Sequence, residues 1–226
     1  MKAVLFDIDG TLMLGYGAGT RAMMRAGRAI CGEAFDLTGI MIGGGMDPII
    51  YHQAATRLGL ADPRDLHDAF RDRYLEELHA ELIAAERRPH VLPGVLSLLE
   101  ALSGYRDVAV GLVTGNYQRA VPIKFGHVGL QLQGFVSGAF GDDALTRPAL
   151  LPVALARMRD VLGIAIDPCD AIVVGDTPRD VDCALQNGAR CLAVATGAHP
   201  IDELRAAGAQ RVVSDLDDPE PLLSWL

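Results

Sequence analysis

Residues 3 to 12 read Ala-Val-Leu-Phe-Asp-Ile-Asp-Gly-Thr-Leu, an apolar run suited to a buried strand that stops in two carboxylates spaced i, i+2. Side chains along a strand alternate between faces, so Asp7 and Asp9 project to the same side for as long as strand geometry lasts. Gly10 and Thr11 then turn the chain away. Two like charges at the mouth of a sheet repel each other and imply a cation, a shared proton, or both. The plain alternative is a strand ending in solvated acids, with Asp-Gly as a turn signal. It weakens as the rest of the chain is read.

Three more β-rich runs, Val108 to Val113, Ala171 to Gly175 and Arg190 to Ala195, alternate with helical patterns. Continuous apolar strands of this kind are buried on both faces, which favours a parallel sheet flanked by helices. Gly134 to Gly138 and Arg211 to Val213 are expected to add edge strands. The pattern predicts an α/β, doubly wound parallel sheet. Between the first two strong strands lies a long stretch that reads as helix throughout, too long for an ordinary crossover. Its expected helices are Ala18 to Cys31, Pro48 to Leu58 and Arg64 to Ala85, broken at Gly43-Gly44-Gly45 and Asp62-Pro63. The expected division is therefore a core of residues 1–14 and 88–226, with an inserted α-helical domain over 15–87.

A net charge of −9 and a pI near 5.0, with no Lys/Arg-rich run, argue against nucleic-acid or anionic-membrane binding. Any anionic ligand must be held locally. The opening apolar run breaks at Asp7, too early for a signal peptide, and no stretch is apolar for long enough to span a bilayer. A cytoplasmic protein is the expectation, monomeric or a weak homodimer. Cys31, Cys169, Cys183 and Cys191 show no C-x-x-C pairing and read as reduced thiols.

Each strong strand ends in residues that can do chemistry: Asp7 after the first, Thr114-Gly115-Asn116 after the second, Gly175-Asp176-Thr177-Pro178-Arg179-Asp180 after the third. Ligands of open parallel sheets bind beyond the carboxyl ends of the strands, so these groups can converge. The set resembles the haloacid dehalogenase superfamily, in its phosphatase branch near the phosphoglycolate phosphatases. Asp7 to Leu12 matches the family's first motif, Thr114 the second, and Gly175 to Asp180 the fourth. The order is right over nearly the whole chain, and the insertion point resembles that of the family's type 1 helical cap.

The resemblance implies Mg²⁺-dependent hydrolysis of a small phosphorylated metabolite. Asp7 would be the nucleophile that becomes an aspartyl-phosphate, and Asp9 the acid that protonates the leaving alkoxide and later activates water. Asp7, Asp176 and the Asp9 backbone carbonyl would bind Mg²⁺, with Asp180 alongside or on a metal-bound water. Thr114, Gly115 and Asn116 would hold phosphoryl oxygens.

Phosphoryl transfer also calls for a cation at the phosphate. Arg147-Pro148 stands where related chains carry Lys-Pro, and its guanidinium suits phosphate. Lys124 competes. The chain has eighteen arginines and two lysines, so a lysine kept amid that bias points to Lys124 as the charge nearest Asp7, with Arg147 a phosphate or structural partner. A snorkelling surface lysine is the plain reading.

Other features read more simply. Gly43-Gly44-Gly45 lacks the ending of a phosphate loop and is expected in the insertion, where Ile42 to Asp47 and Met13 to Arg21 would set specificity. His52, His67 and His79 lack metal-ligand spacing, and His199 is expected in a polar loop. Gly15 and Gly17 suit a hinge. A sugar-phosphate mutase of the β-phosphoglucomutase type would keep both aspartates; a non-enzymatic binding protein on the same scaffold would be favoured by an incomplete catalytic set, whereas every expected acid is present. A dehalogenase would need neither Asp9 nor Asp176, and a phosphonate hydrolase would need a lysine in the insertion, where there is none.

Overall fold

The computed structural model describes residues 1–60 and 62–226. In chain order its elements are β1 (Lys2–Phe6), β2 (Met13–Leu14), α1 (Ala18–Cys31), α2 (Asp47–Arg57), α3 (His67–Ala84), β3 (His90–Val91), α4 (Val95–Ser103), β4 (Val108–Val113) and α5 (Ala120–Val128). They continue as β5 (Ser137–Ala139), α6 (Leu150–Leu162), β6 (Ala171–Gly175), α7 (Pro178–Gln186), β7 (Arg190–Val194), α8 (Ile201–Ala206), β8 (Arg211–Val213) and α9 (Glu220–Leu223). Six strands form one parallel sheet in the order β5-β4-β1-β6-β7-β8. The chain winds outward from β1 in both directions, so the C-terminal end of β1 is the switch point where such sheets open a crevice.

Alternation along β1 builds both layers. Ala3 and Leu5 pack on one face with Leu151 and Met158 of α6 and Val181 of α7; Val4 and Phe6 pack on the other with Leu98 of α4 and Phe125 of α5. All four β1 side chains are fully buried. Burial on both faces explains why these strands read as continuous apolar runs.

Helices α1 to α3 leave the sheet after β1 and surround an aromatic cluster of Phe35, Tyr51, Phe70 and Tyr74. The two connections to the core pair with each other, β2 antiparallel to β3. Side chains that follow β4 enter the helical cluster: Ala120 joins it, and Tyr117, from the loop after β4, is fully buried there with its hydroxyl 2.9 Å from His67 Nε2. Asp47 at the start of α2 fastens the same loop twice. Its N–H donates to Gly115 O at 2.7 Å, and its carboxylate accepts from Tyr117 N–H at 2.9 Å.

Some expected boundaries shift. The strand expected over Gly134 to Gly138 forms at Ser137–Ala139, because pairing with β4 begins only when Val136 N–H reaches Val110 O at 2.8 Å. Helix α3 starts at His67 after a 3-10 turn over Pro63–Leu66, capped by Asp62. Arg147 lies in a 3-10 turn leading into α6. No helix among the described residues is long and apolar enough to cross a membrane.

Candidate active site

The strand ends converge on one cavity of about 210 Å³, lined by Asp7, Asp9, Thr114, Gly115, Asn116, Lys124, Arg147 and Asp176 from the sheet side. Residues of the insertion close the opposite side. Strand β1 ends at Phe6, and Asp7 N–H still bonds Val174 O of β6 at 2.9 Å, which fixes the carboxylate at the switch point. The next residues leave strand geometry. Ile8 O accepts from Leu12 N–H at 2.9 Å, and Gly10 takes φ 80°, a left-handed conformation that glycine adopts without strain.

That turn separates the two acids at positions 7 and 9. Carboxylate oxygens of Asp7, Asp176 and Asp180 lie within 4.8 Å of one another and are buried. Asp9 has a side chain 45% exposed and forms an ion pair with Lys124. The expectation that strand alternation holds the Asp7 and Asp9 side chains together is thus corrected: Asp180 is the third carboxylate of the cluster, and the Asp9 carboxylate faces a lysine. Both acids still line the cavity.

The two cations are also redistributed. Arg147 is 5% exposed, 2.9 Å from Asp7 Oδ1 and 2.5 Å from Asp180 Oδ1. Lys124 is equally buried but pairs with Asp9 and donates to Asn116 Oδ1 at 2.8 Å. The expectation that Lys124 is the charge nearest Asp7 is therefore reversed, and the surface-lysine reading also fails. Lys124 is pointed at the turn after β1 from α5, whereas the start of α6 lies beside the carboxylate cluster. Asn116 N–H approaches Thr114 Oγ1 at 3.3 Å, so Thr114, Asn116, Lys124 and Asp9 form a connected chain.

Asp180 has both oxygens engaged. Its Oδ1 faces Arg147 and its Oδ2 accepts from Thr177 N–H at 3.0 Å and Thr177 Oγ1 at 2.7 Å, closing a capping box at the start of α7. It holds Arg147, whereas Asp7 and Asp176 line the cavity. Thr11 Oγ1 reaches Asp176 Oδ1 at 3.3 Å.

Burial pushes Asp176 up to about 8, with Asp180 and Asp7 adding to it. Asp7 is pushed up to about 6 by burial, partly offset by Arg147. Three buried carboxylates share one guanidinium, so the cluster lacks positive charge. Hard oxygen donors held this close match a small divalent cation such as Mg²⁺.

The space around Asp176 is equally restricted. A Cβ at Gly197 would lie 1.7 Å from Asp176 Oδ2. Gly197→Ala is therefore expected to displace that carboxylate and lower kcat/KM by about 100-fold, the scale set by a misplacement near 1 Å. A steady-state assay with circular dichroism to confirm the fold checks this.

Sequence reasoning passed over Tyr74, which lines the cavity; Asp47 it placed only within the segment Ile42 to Asp47 expected to set specificity, and Thr177 only within the run Gly175 to Asp180, without assigning either a role. Asp47-Pro48 carried a signal, but as a helix start. His199, expected in a polar loop, reaches the cavity wall with its Nδ1 2.9 Å from Glu203. His67 faces Tyr117, and His79 lies 3.1 Å from His127.

A phosphoglycolate phosphatase of Rhodospirillum rubrum is 30% identical over 230 residues, covering 100% of this chain and 90% of that protein. An N-acetylmuramic acid 6-phosphate phosphatase of Pseudomonas aeruginosa is 29% identical, covering 100% and 95%. Among solved structures, a hydrolase from Pseudomonas syringae superposes with a TM-score of 0.72 at 20% identity over 99% of this chain and 98% of that one. A putative β-phosphoglucomutase from Thermotoga maritima gives 0.65 at 21% over 99% of each chain; both likenesses show the fold. A model of the haloacid dehalogenase-like hydrolase family matches residues 1–188. With the strand-end acids placed as described, this chain belongs to the haloacid dehalogenase-like hydrolases.

Proposed function

We propose that the protein is a Mg²⁺-dependent phosphatase that hydrolyses a small phosphomonoester through an aspartyl-phosphate on Asp7. One observation carries the reading. A buried carboxylate at the end of β1 stands between a guanidinium and a second carboxylate, at the floor of a cavity that Thr114, Asn116 and Lys124 also line. The named phosphatase relatives support it. We further propose residues 15–87 as the cap that covers this cavity.

Asp7 and Asp176 would hold the metal, with the Asp9 backbone carbonyl as a further donor. Bound there, the ion supplies charge that neutralises phosphoryl oxygens and aligns the ester. In the first step an Asp7 oxygen attacks phosphorus, the P–O bond to the alcohol breaks, and Asp9 gives the leaving oxygen a proton. In the second, Asp9 takes a proton from water, which attacks the phosphorus and releases Asp7 and inorganic phosphate. Arg147 steadies Asp7 and the charge developing on the phosphoryl group, while Thr114 Oγ1 and the Gly115 N–H hold its oxygens. Lys124 orients Asp9 and Asn116.

Hydrolysis of p-nitrophenyl phosphate, restored by Mg²⁺ after chelation, tests the reading; turnover unaffected by chelation would remove the metal from it. A mutase would instead hold a long-lived phosphoenzyme and require a bisphosphate activator.

The raised carboxylates predict a pH-dependent metal effect. A carboxyl group with a folded pKa above its ordinary value favours the folded state when protonated. That contribution is complete below the ordinary range near 4 and is lost as pH rises towards about 8, the value of Asp176. Mg²⁺ offsets the cost of the ionised forms, so its stabilisation grows over the same window. The increase in Tm on adding Mg²⁺ is expected to be larger at about pH 8 than at about pH 5, by about 2–4 °C for each kcal/mol of difference. Differential scanning fluorimetry at both pH values measures it, and a pH-independent gain would contradict it.

A further inference from the structure

With phosphorus beside Asp7, the rest of the ester must occupy the side of the cavity formed by the insertion. That wall is described by small and apolar residues, among them Gly17, Met23, Ile42 and Ile50. Among the described residues, the insertion contributes a single charged side chain to it, Asp47, accompanied by the Tyr74 phenol. The sheet's cations are committed elsewhere: Arg147 to Asp7 and Asp180, Lys124 to Asp9 and Asn116. His199 faces Glu203.

Charge then decides which alcohol fits. Four carboxylates, Asp7, Asp9, Asp47 and Asp176, and the two cations line the cavity. A bound divalent ion would leave the lining neutral before the phosphate dianion enters. A second negative group on the substrate would meet Asp47, whose neighbouring cation, Lys124, is already committed to Asp9 and Asn116, and like-charge contacts in a desolvated site are strongly unfavourable. The Asp47 carboxylate is 6% exposed, and the Tyr117 N–H occupies one of its several acceptor positions. Hydroxyl groups match that wall. They can donate to Asp47 when it is ionised or accept from it when it is protonated, and they can exchange hydrogen bonds with Tyr74. The cavity, at about 210 Å³, lies below the usual range for drug-sized ligands, which limits the alcohol to a few carbons or a single sugar ring.

We propose that the substrate is the phosphate ester of a small, uncharged, hydroxyl-bearing alcohol, recognised by Asp47 and Tyr74, and that Asp47 selects against esters of hydroxy acids. This rests on the phosphatase reading above and narrows it away from phosphoglycolate, the compound named in several relatives.

The test measures kcat/KM with Mg²⁺ for glycerol phosphate, glucose phosphate, phosphoglycolate and phosphoethanolamine, with p-nitrophenyl phosphate as reference. Glycerol phosphate or glucose phosphate is expected to exceed phosphoglycolate by about tenfold or more, and Asp47→Asn to narrow that ratio. Asparagine retains an acceptor for the Tyr117 N–H. If Asp47→Asn does not fold, Tyr74→Phe serves, and it is expected to reduce turnover of the polyol ester more than that of the aryl ester. Thermal shifts of the Asp7→Asn variant with the same compounds should rank them alike without turnover. Phosphoglycolate or phosphoethanolamine ranking first overturns the inference, as does an Asp47→Asn protein with an unchanged ratio. If the aryl ester is not hydrolysed at all, the phosphatase reading itself has failed; if it is hydrolysed while phosphoglycolate leads, only the assignment of the alcohol has.

Discussion

Asp7→Asn is expected to lower kcat/KM for an aryl phosphate by about 10⁴-fold or more, the scale seen when a nucleophile is removed from machinery that acts as a unit. An amide keeps the shape of the carboxylate but is a poor nucleophile towards phosphorus. The variant should also fold well. Asp7 is buried in a cluster where burial and its acidic neighbours hold its carboxyl up at about 6, so a neutral side chain relieves repulsion while Arg147 keeps Asp180 as a partner. The expected pair of results is an unchanged or higher Tm without metal and no phosphoenzyme in acid-quenched labelling. Residual turnover within tenfold of the native rate would remove Asp7 from the chemistry.

Arg147→Met is expected to fail differently, losing both activity and stability. The guanidinium is 5% exposed and touches Asp7 and Asp180, so its removal leaves buried carboxylates without their cation. Breaking a buried pair in this way costs about 3–5 kcal/mol. Lys124→Met gives the contrast. Its partner Asp9 is 45% exposed and can be resolvated, so stability should fall less while turnover drops through a misoriented Asp9. Urea unfolding of both variants beside their kinetics separates the cases. Full activity in Arg147→Met with a dead Lys124→Met would reverse the assignment of the two cations.

The core was legible because its signals are local. Runs such as Val4 to Phe6 and Ala171 to Gly175 are apolar on both faces, and only a covered parallel sheet accepts them. Their order placed Asp7, Thr114 and Asp176 at one rim. Helix α1 was readable to the residue, since a glycine ends it at Gly32. The pairing of charges was not legible. Whether Lys124 or Arg147 meets Asp7 depends on how α5 and α6 approach the rim, which no local pattern records. Asp9 misled because strand alternation was carried past Phe6 into a turn. Asp47 was placed only in the segment expected to set specificity, because an acid before proline at a helix start has a sufficient local explanation and its tie to the loop after β4 is tertiary.

Tyr117 has a consequence for how such enzymes diversify. Its ring belongs by sequence to the loop after β4 but sits among Tyr51, Phe70 and Tyr74 of the helices. The inserted helices and the sheet of this enzyme are therefore not interchangeable parts. A chimera that grafted foreign helices onto this sheet would leave an aromatic plug without its socket and loosen the loop holding Asn116, so new substrates are more readily reached by changing the wall residue by residue than by recombination.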